Sequence, residues 1–158
     1  MRNGPGVSPA DQAGMGVALE EAQRAAKDGE VPVGAAIYGH GVLVSRARNE
    51  MAAKEDPTAH AEIRAIRRAL KMLHADRLDD CTLYVTLEPC AQCAGAIVLA
   101  KVGRVVYGAA DPKAGMAGSV GDLLRNPKLN HRAEVVGGVA EEECAALLKN
   151  FFAGKRGR

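Results

Sequence analysis

A hairpin signal followed by alternating helical and β-rich stretches limits the folds open to this chain. Val33–Tyr38 (VGAAIY) and Val42–Ser45 (VLVS) flank Gly39-His40-Gly41, a short turn between two β-rich runs. Before the hairpin, residues 11–28 are rich in Ala, Glu, Gln, Lys and Arg and predict a helix that Gly29 ends. After it, residues 46–56 are polar and loop-like. A second helix opens at Thr58-Ala59-His60 and runs to about Leu73, because Ile63, Ile66, Ala69, Leu70 and Leu73 recur at helical spacing. Thr82–Leu87 (TLYVTL) predicts a buried strand, Cys90–Ala100 a helix stopped near Gly103, and Arg104–Gly108 (RVVYG) another strand. Residues 111–121 form a Gly-rich stretch without a regular period, a kind of loop that often carries function. A short strand over 134–136 and a helix over 141–152 close the chain. Helices alternating with short strands after a hairpin fit an α/β layered domain with a mixed sheet.

The core has to be aliphatic. Of 158 residues 47% are apolar, yet there are two Phe, three Tyr and no Trp. That length fits one domain. We expect a flexible Gly/Pro-rich segment over 1–9, a domain over 10–153 and a basic tail over 154–158. The net charge of +2 neither demands nor excludes a nucleic-acid partner. No apolar run approaches the roughly 18 residues that cross a membrane, and residues 1–16 lack the apolar stretch of a signal peptide. The expectation is a cytoplasmic protein without a membrane partner. Cys81, Cys90, Cys93 and Cys144 are then thiols or metal ligands rather than disulfides.

Cys90 and Cys93 stand in LEPCAQC, between a strand and a helix. A redox C-x-x-C would usually follow the first strand of its unit; this one follows the third. A closed zinc site needs four ligands, commonly two such pairs, and Cys81 and Cys144 do not make a second pair. We read those two as small core residues. His60, in TAHAEI, adds an imidazole. Two thiolates and one neutral imidazole balance the charge of Zn²⁺ and leave one position open, the mark of a catalytic zinc. Cysteines in the first turn of a helix are favoured as thiolates. Glu62 lies two residues beyond His60, about 200° around a regular helix. At an irregular helix start it could still line the pocket and move a proton from water to a substrate nitrogen.

His-x-Glu followed by Pro-Cys-x-x-Cys is the signature of zinc nucleobase deaminases. GEVPVGA, DPTAHAEI, TLYVTLEPCAQCAGAI, GRVVYGA, NHR and ECAALLKNFF resemble the bacterial tRNA-specific adenosine deaminase family, a branch of the cytidine and deoxycytidylate deaminase superfamily, from about Met15 to Phe152. The resemblance implies a three-layer α/β/α fold around a five-stranded mixed sheet, a homodimer, and one Zn²⁺ per chain on His60, Cys90 and Cys93, with Glu62 as proton shuttle. It implies hydrolysis of the wobble adenosine in a tRNA anticodon stem-loop to inosine. Asn49 matches a residue that hydrogen-bonds the base, and Val33, Ala61 and Leu87 match pocket walls. Asp111, Lys113, His131, Phe152 and Arg156 fall where the family contacts RNA. Ala91-Gln92 between the cysteines replaces a frequent Val-Met, and Ala110 replaces a polar residue found in some members. Two other readings stay open: a free nucleobase or nucleoside deaminase acting on guanine or cytosine, and a non-catalytic zinc module that binds RNA.

Overall fold

The computed structural model describes residues 8–156, with the backbone alone at Arg156. The loose segment and the basic tail expected from sequence therefore fall outside the described residues at 1–7 and 157–158. Where they are described they are helical, apart from Ser8, the extended residue that caps the first helix. Helix α1 (Pro9–Lys27) opens with Pro9, whose fixed φ suits a first helical position. The Ser8 hydroxyl accepts from the Asp11 N–H at 3.1 Å. Helix α4 (Glu141–Arg156) continues past the expected end at Phe152. There Lys155 Nζ lies 5.2 Å from the centre of the Phe151 ring one turn earlier.

Between these helices come β1 (Gly34–Gly39), β2 (Val42–Arg48), α2 (Ala61–Leu73), β3 (Cys81–Leu87), α3 (Ala91–Ala100), β4 (Arg104–Ala109) and β5 (Glu134–Val136). The sheet order is β2-β1-β3-β4-β5. β1 is antiparallel to both β2 and β3, while β3, β4 and β5 are parallel. This is the five-stranded mixed sheet expected. His40 (φ 52°) and Gly41 (φ 78°) both take the left-handed φ that a two-residue type I′ hairpin turn demands.

β2 is longer than its polar sequence suggests, because residues 46–48 are strand and not loop. Arg46 pairs with Glu20 at 2.7 Å and Glu21 at 2.6 Å on α1, and Arg48 with Asp28, the residue that caps α1, at 3.3 Å. Ala47 points the other way and is fully buried. The charges that made this segment look like a loop are the strand's contacts with a helix.

Alternation along the strands divides the core in two. Leu83, Val85 and Val105 pack with Ala65, Ile66, Ala94 and Ile97 of α2 and α3. Tyr84 and Val106, one step along, pack with Met15, Ala18 and Leu19 of α1 and with Cys144 of α4. Helices on both faces give the α/β/α layering. Cys81 and Cys144 are buried core thiols, as read from the sequence. Helix α1 lies so close to β1 that a Cβ on Gly34 would sit 2.0 Å from the Ala18 carbonyl oxygen. Only glycine fits that position.

One polar clamp crosses the α1 face. The Asp11 carboxylate, 1% exposed, receives both terminal nitrogens of Arg104 at 2.7 and 2.8 Å and the Tyr84 hydroxyl at 2.8 Å. Arg104 also pairs with Glu134 on β5. The first turn of α1 is thereby tied to β3, β4 and β5. The Arg104 guanidinium, against the opposing effect of burial and with help from Tyr84, holds the Asp11 carboxyl below its ordinary value. We predict that Asp11→Asn lowers unfolding free energy by about 2–4 kcal/mol near neutral pH, since it leaves Arg104 partly buried and under-compensated. A group with a depressed pKa stabilises above its unfolded value of about 4 and loses that contribution as pH falls through the folded value. The gap between wild type and variant should therefore close in acid. Denaturant melts across pH check this; a gap below about 0.5 kcal/mol at pH 7 would contradict it.

Candidate metal and base-binding site

β2, β3 and β4 run in one direction, so the residues just after them collect at one edge of the sheet. Asn49 follows β2, Glu88 to Cys90 follow β3, and Asp111 follows β4. Val31 and Val33 lead into β1 at the same edge. Ligands of α/β proteins commonly bind at such an edge. Here it holds a cavity of about 200 Å³. That is smaller than the roughly 300–1,000 Å³ of clefts for drug-sized ligands, a size that suits one flat base.

His60 and Cys90 are the N-cap residues of α2 and α3, with extended ψ of 154° and −179°. Cys93 lies in the first turn of α3. Two helix starts therefore face each other across the site, and Gln92 Nε2 donates to the Thr58 carbonyl at 3.2 Å to tie them together. His60 Nδ1 is 3.6 Å from Cys90 Sγ and 3.4 Å from Cys93 Sγ. Tetrahedral zinc, with bonds of about 2.3 Å to sulfur and 2.0–2.1 Å to nitrogen, requires a sulfur–nitrogen separation of about 3.6 Å. The donors match that geometry and lie within 4.8 Å of one another. Among the described residues no fourth His, Cys, Asp or Glu joins the group.

The protonation pattern points the same way. A hydrogen bond from Cys93, with a second from His60, pulls the Cys90 thiol down to about 3. That same shared proton, with burial, holds the Cys93 thiol up. Cys90 in turn raises His60. The three groups compete for protons at a point where a divalent cation would replace them.

Glu62 is 4% exposed and lines the cavity with His60. The sequence argument that two residues place it about 200° away does not apply, because His60 is an extended cap and not part of the helix. Burial pushes the Glu62 carboxyl up to about 7, against the pull of its own N–H and of His60. A carboxyl in that state can both accept and donate a proton.

Asn49 is 3% exposed. Its Nδ2 donates to the Val31 carbonyl at 3.2 Å and its Oδ1 accepts from the Met51 N–H at 3.1 Å. Those partners fix which end of the amide is which, and they leave a second amide hydrogen for a ligand.

Of the residues expected from sequence, Val33, Asn49, His60, Ala61, Glu62, Leu87, Cys90 and Asp111 line the cavity, with Cys93 behind it. Lys113 is exposed beside Asp111. Phe152 lies in a neighbouring open groove that shares Val31 and Met51 with the cavity. His131 does not line the cavity, for its Nε2 pairs with the Val102 carbonyl at 2.7 Å, before the start of β4 and at the opposite edge of the sheet. The Arg156 side chain lies outside the described residues. Val31, Met51, Glu88 and Ala114 also line the cavity and were not singled out in the sequence. Val31 and Glu88 stood inside quoted motifs and Ala114 inside the Gly-rich stretch 111–121, whereas Met51 carried no signal.

The model of the MafB19-like deaminase family matches residues 10–156. The tRNA-specific adenosine deaminase of Bacillus subtilis (strain 168) is 48% identical over 142 residues, covering 90% of this chain and 88% of the relative. A solved structure from a study of A-to-I editing by tRNA:A34 deaminases at the wobble position has a TM-score of 0.83 and 43% identity, over 86% of this chain and 99% of that one. The Bacillus subtilis guanine deaminase structure is 39% identical with a TM-score of 0.61, over 68% of this chain and 69% of its own. Both the family model and relatives of near-half identity span most of the sequence, and the chain belongs to the deaminase family, alongside the bacterial tRNA-specific adenosine deaminases.

Proposed function

We propose that this chain is a zinc-dependent tRNA adenosine deaminase, a hydrolase that converts the wobble adenosine of an anticodon stem-loop to inosine. One observation carries the chemistry: a three-donor group, His60, Cys90 and Cys93, beside a buried carboxyl, Glu62, in a cavity of single-base size. The tRNA substrate is supported by relatives matched over most of both chains that are named for it. Bound zinc would supply the Lewis acidity that makes water a nucleophile near neutral pH.

The chain's own residues do the rest. Val31, Val33, Met51 and Leu87 provide apolar contact for a flipped-out adenine and exclude bulk water. The free amide hydrogen of Asn49 holds the base edge. Water adds at C6 of the base. Glu62 takes a proton from that water and passes it to the ring nitrogen. It then takes the second proton from the new C6 hydroxyl and gives it to the departing amine, so ammonia leaves and inosine, with its C6 carbonyl, remains. The bases of an anticodon loop are already unpaired, which keeps the cost of extrusion modest. Asp111, on the cavity wall, and Lys113, Phe152 and Arg156, beyond it, would meet the flanking nucleotides, and His131 would act through the loop it anchors. The working form would be a cytoplasmic homodimer with one zinc per chain. No helix among the described residues is long and apolar enough to cross a membrane.

The likeness to guanine deaminase makes free-base deamination the second reading. A binding module without catalysis would need a fourth protein ligand and has no use for Glu62.

Glu62→Gln keeps the shape but cannot carry the proton. It should cut turnover at least about 10³-fold while zinc stays at the wild-type level. Metal loss in that variant would move Glu62 into the ligand set, and wild-type turnover would remove it from the reaction. Substrate class is decided by kcat/KM on an anticodon stem-loop, adenosine, guanine and cytosine, each at two salt concentrations. The stem-loop should be preferred and its affinity should fall with salt. Lys113→Ala should flatten that dependence by about one counterion. Fast, salt-insensitive turnover of a free base with an inert stem-loop would overturn the tRNA assignment.

A further inference from the structure

Glu88 takes no part in the chemistry above, yet it is 2% exposed and forms part of the cavity wall. Its carboxylate accepts from four donors, all in the loop that follows β4. Oε1 takes the Asp111 N–H at 2.9 Å and the Ser119 hydroxyl. Oε2 takes the N–H of Ala117 at 2.9 Å and of Ser119 at 3.1 Å. Four hydrogen bonds fill the acceptor capacity of a carboxylate, so neither oxygen is left to handle a substrate proton. Three of the donors are backbone N–H groups, which can only donate. An amide in place of the acid would turn its own N–H₂ toward some of them.

The base of this post is held at both ends. The Glu88 N–H donates to the Ala109 carbonyl, and the next carbonyl, of Pro89, accepts from the Met116 N–H, each at 2.8 Å. The loop is moulded to the acid: a Cβ on Gly115 would lie 2.3–2.5 Å from the Glu88 carboxyl atoms. The same loop brings Asp111 and Ala114 to the cavity. Asp111 Oδ1 accepts from the N–H of Lys113 at 3.0 Å and of Ala114 at 3.2 Å, which passes the tether on to the exposed tip.

We propose that Glu88 is a positioning residue that anchors loop 111–119 as the substrate-facing wall and so sets substrate affinity, not the rate of proton transfer. The inference rests on the deaminase reading for its kinetic part alone. Glu88→Gln should raise KM and Kd for the stem-loop about tenfold, leave kcat within about threefold, and leave zinc content unchanged. Hydrogen exchange at the amides of Asp111, Ala117 and Ser119 should accelerate. Gly115→Ala, which pushes on the same contact from the other side, should reproduce both effects. Ser119→Ala should raise KM about two- to threefold and add little once Glu88→Gln is present.

A variant that merely folds less well would lower apparent kcat in proportion to folded enzyme at unchanged KM. That pattern, or loss of zinc, or unchanged exchange in the loop, overturns the proposal. An inactive wild type refutes the deaminase reading instead, and exchange with stem-loop Kd still decides whether Glu88 sets the loop and its affinity.

Discussion

Helices α2 and α3 begin at the same edge of one sheet, and the donor atoms of His60, Cys90 and Cys93 meet because of it. Thirty residues of chain separate His60 from Cys90. Their side chains converge because β2 and β3 run in the same direction with β1 between them. The hairpin turn at His40-Gly41 sets that direction. The Asp11–Arg104–Tyr84 clamp and the tight seat of α1 on Gly34 hold the opposite face of the sheet. Such rigidity allows an extended cap residue, and not a residue within the helix, to carry the imidazole.

Two buried carboxyls a few residues from the ligands are driven in opposite directions. Glu62 faces a largely apolar cavity, and burial pushes it up to about 7. Burial acts on Glu88 in the same sense, but the Ser119 hydroxyl and the N–H groups of Asp111, Ser119 and Ala117 outweigh it and hold the acid down. The first carboxyl is suited to exchanging protons and the second to remaining a fixed acceptor. Environment separates the roles of two chemically identical side chains.

Much of this was legible in the sequence. The alternation of segments implied the layered mixed sheet, and residue types at particular spacings singled out His60, Glu62, Cys90 and Cys93. The misses have physical reasons. Arg46 and Arg48 made the end of β2 look like loop because polarity marks exposure on average, whereas here α1 and its C-cap supply Glu20, Glu21 and Asp28 to meet them. Glu62 was no miss: it reaches the pocket through the irregular helix start that the sequence reading allowed, with His60 as a cap of extended ψ. Glu88 gave no signal of its own, since its partners are mostly backbone N–H groups of a loop whose path no local pattern encodes. His131 sits in a motif that suggested RNA contact, while its ring binds a backbone carbonyl at the far end of β4.

The three-donor site can be examined directly by zinc-edge X-ray absorption on protein purified without chelator, alongside metal analysis. The account predicts one zinc per chain with two sulfur neighbours at about 2.3 Å and lighter nitrogen or oxygen neighbours at about 2.0–2.1 Å. His60→Ala should weaken or abolish that binding. A zinc shell with three or four sulfurs, full zinc occupancy without His60, or active protein free of zinc would contradict it.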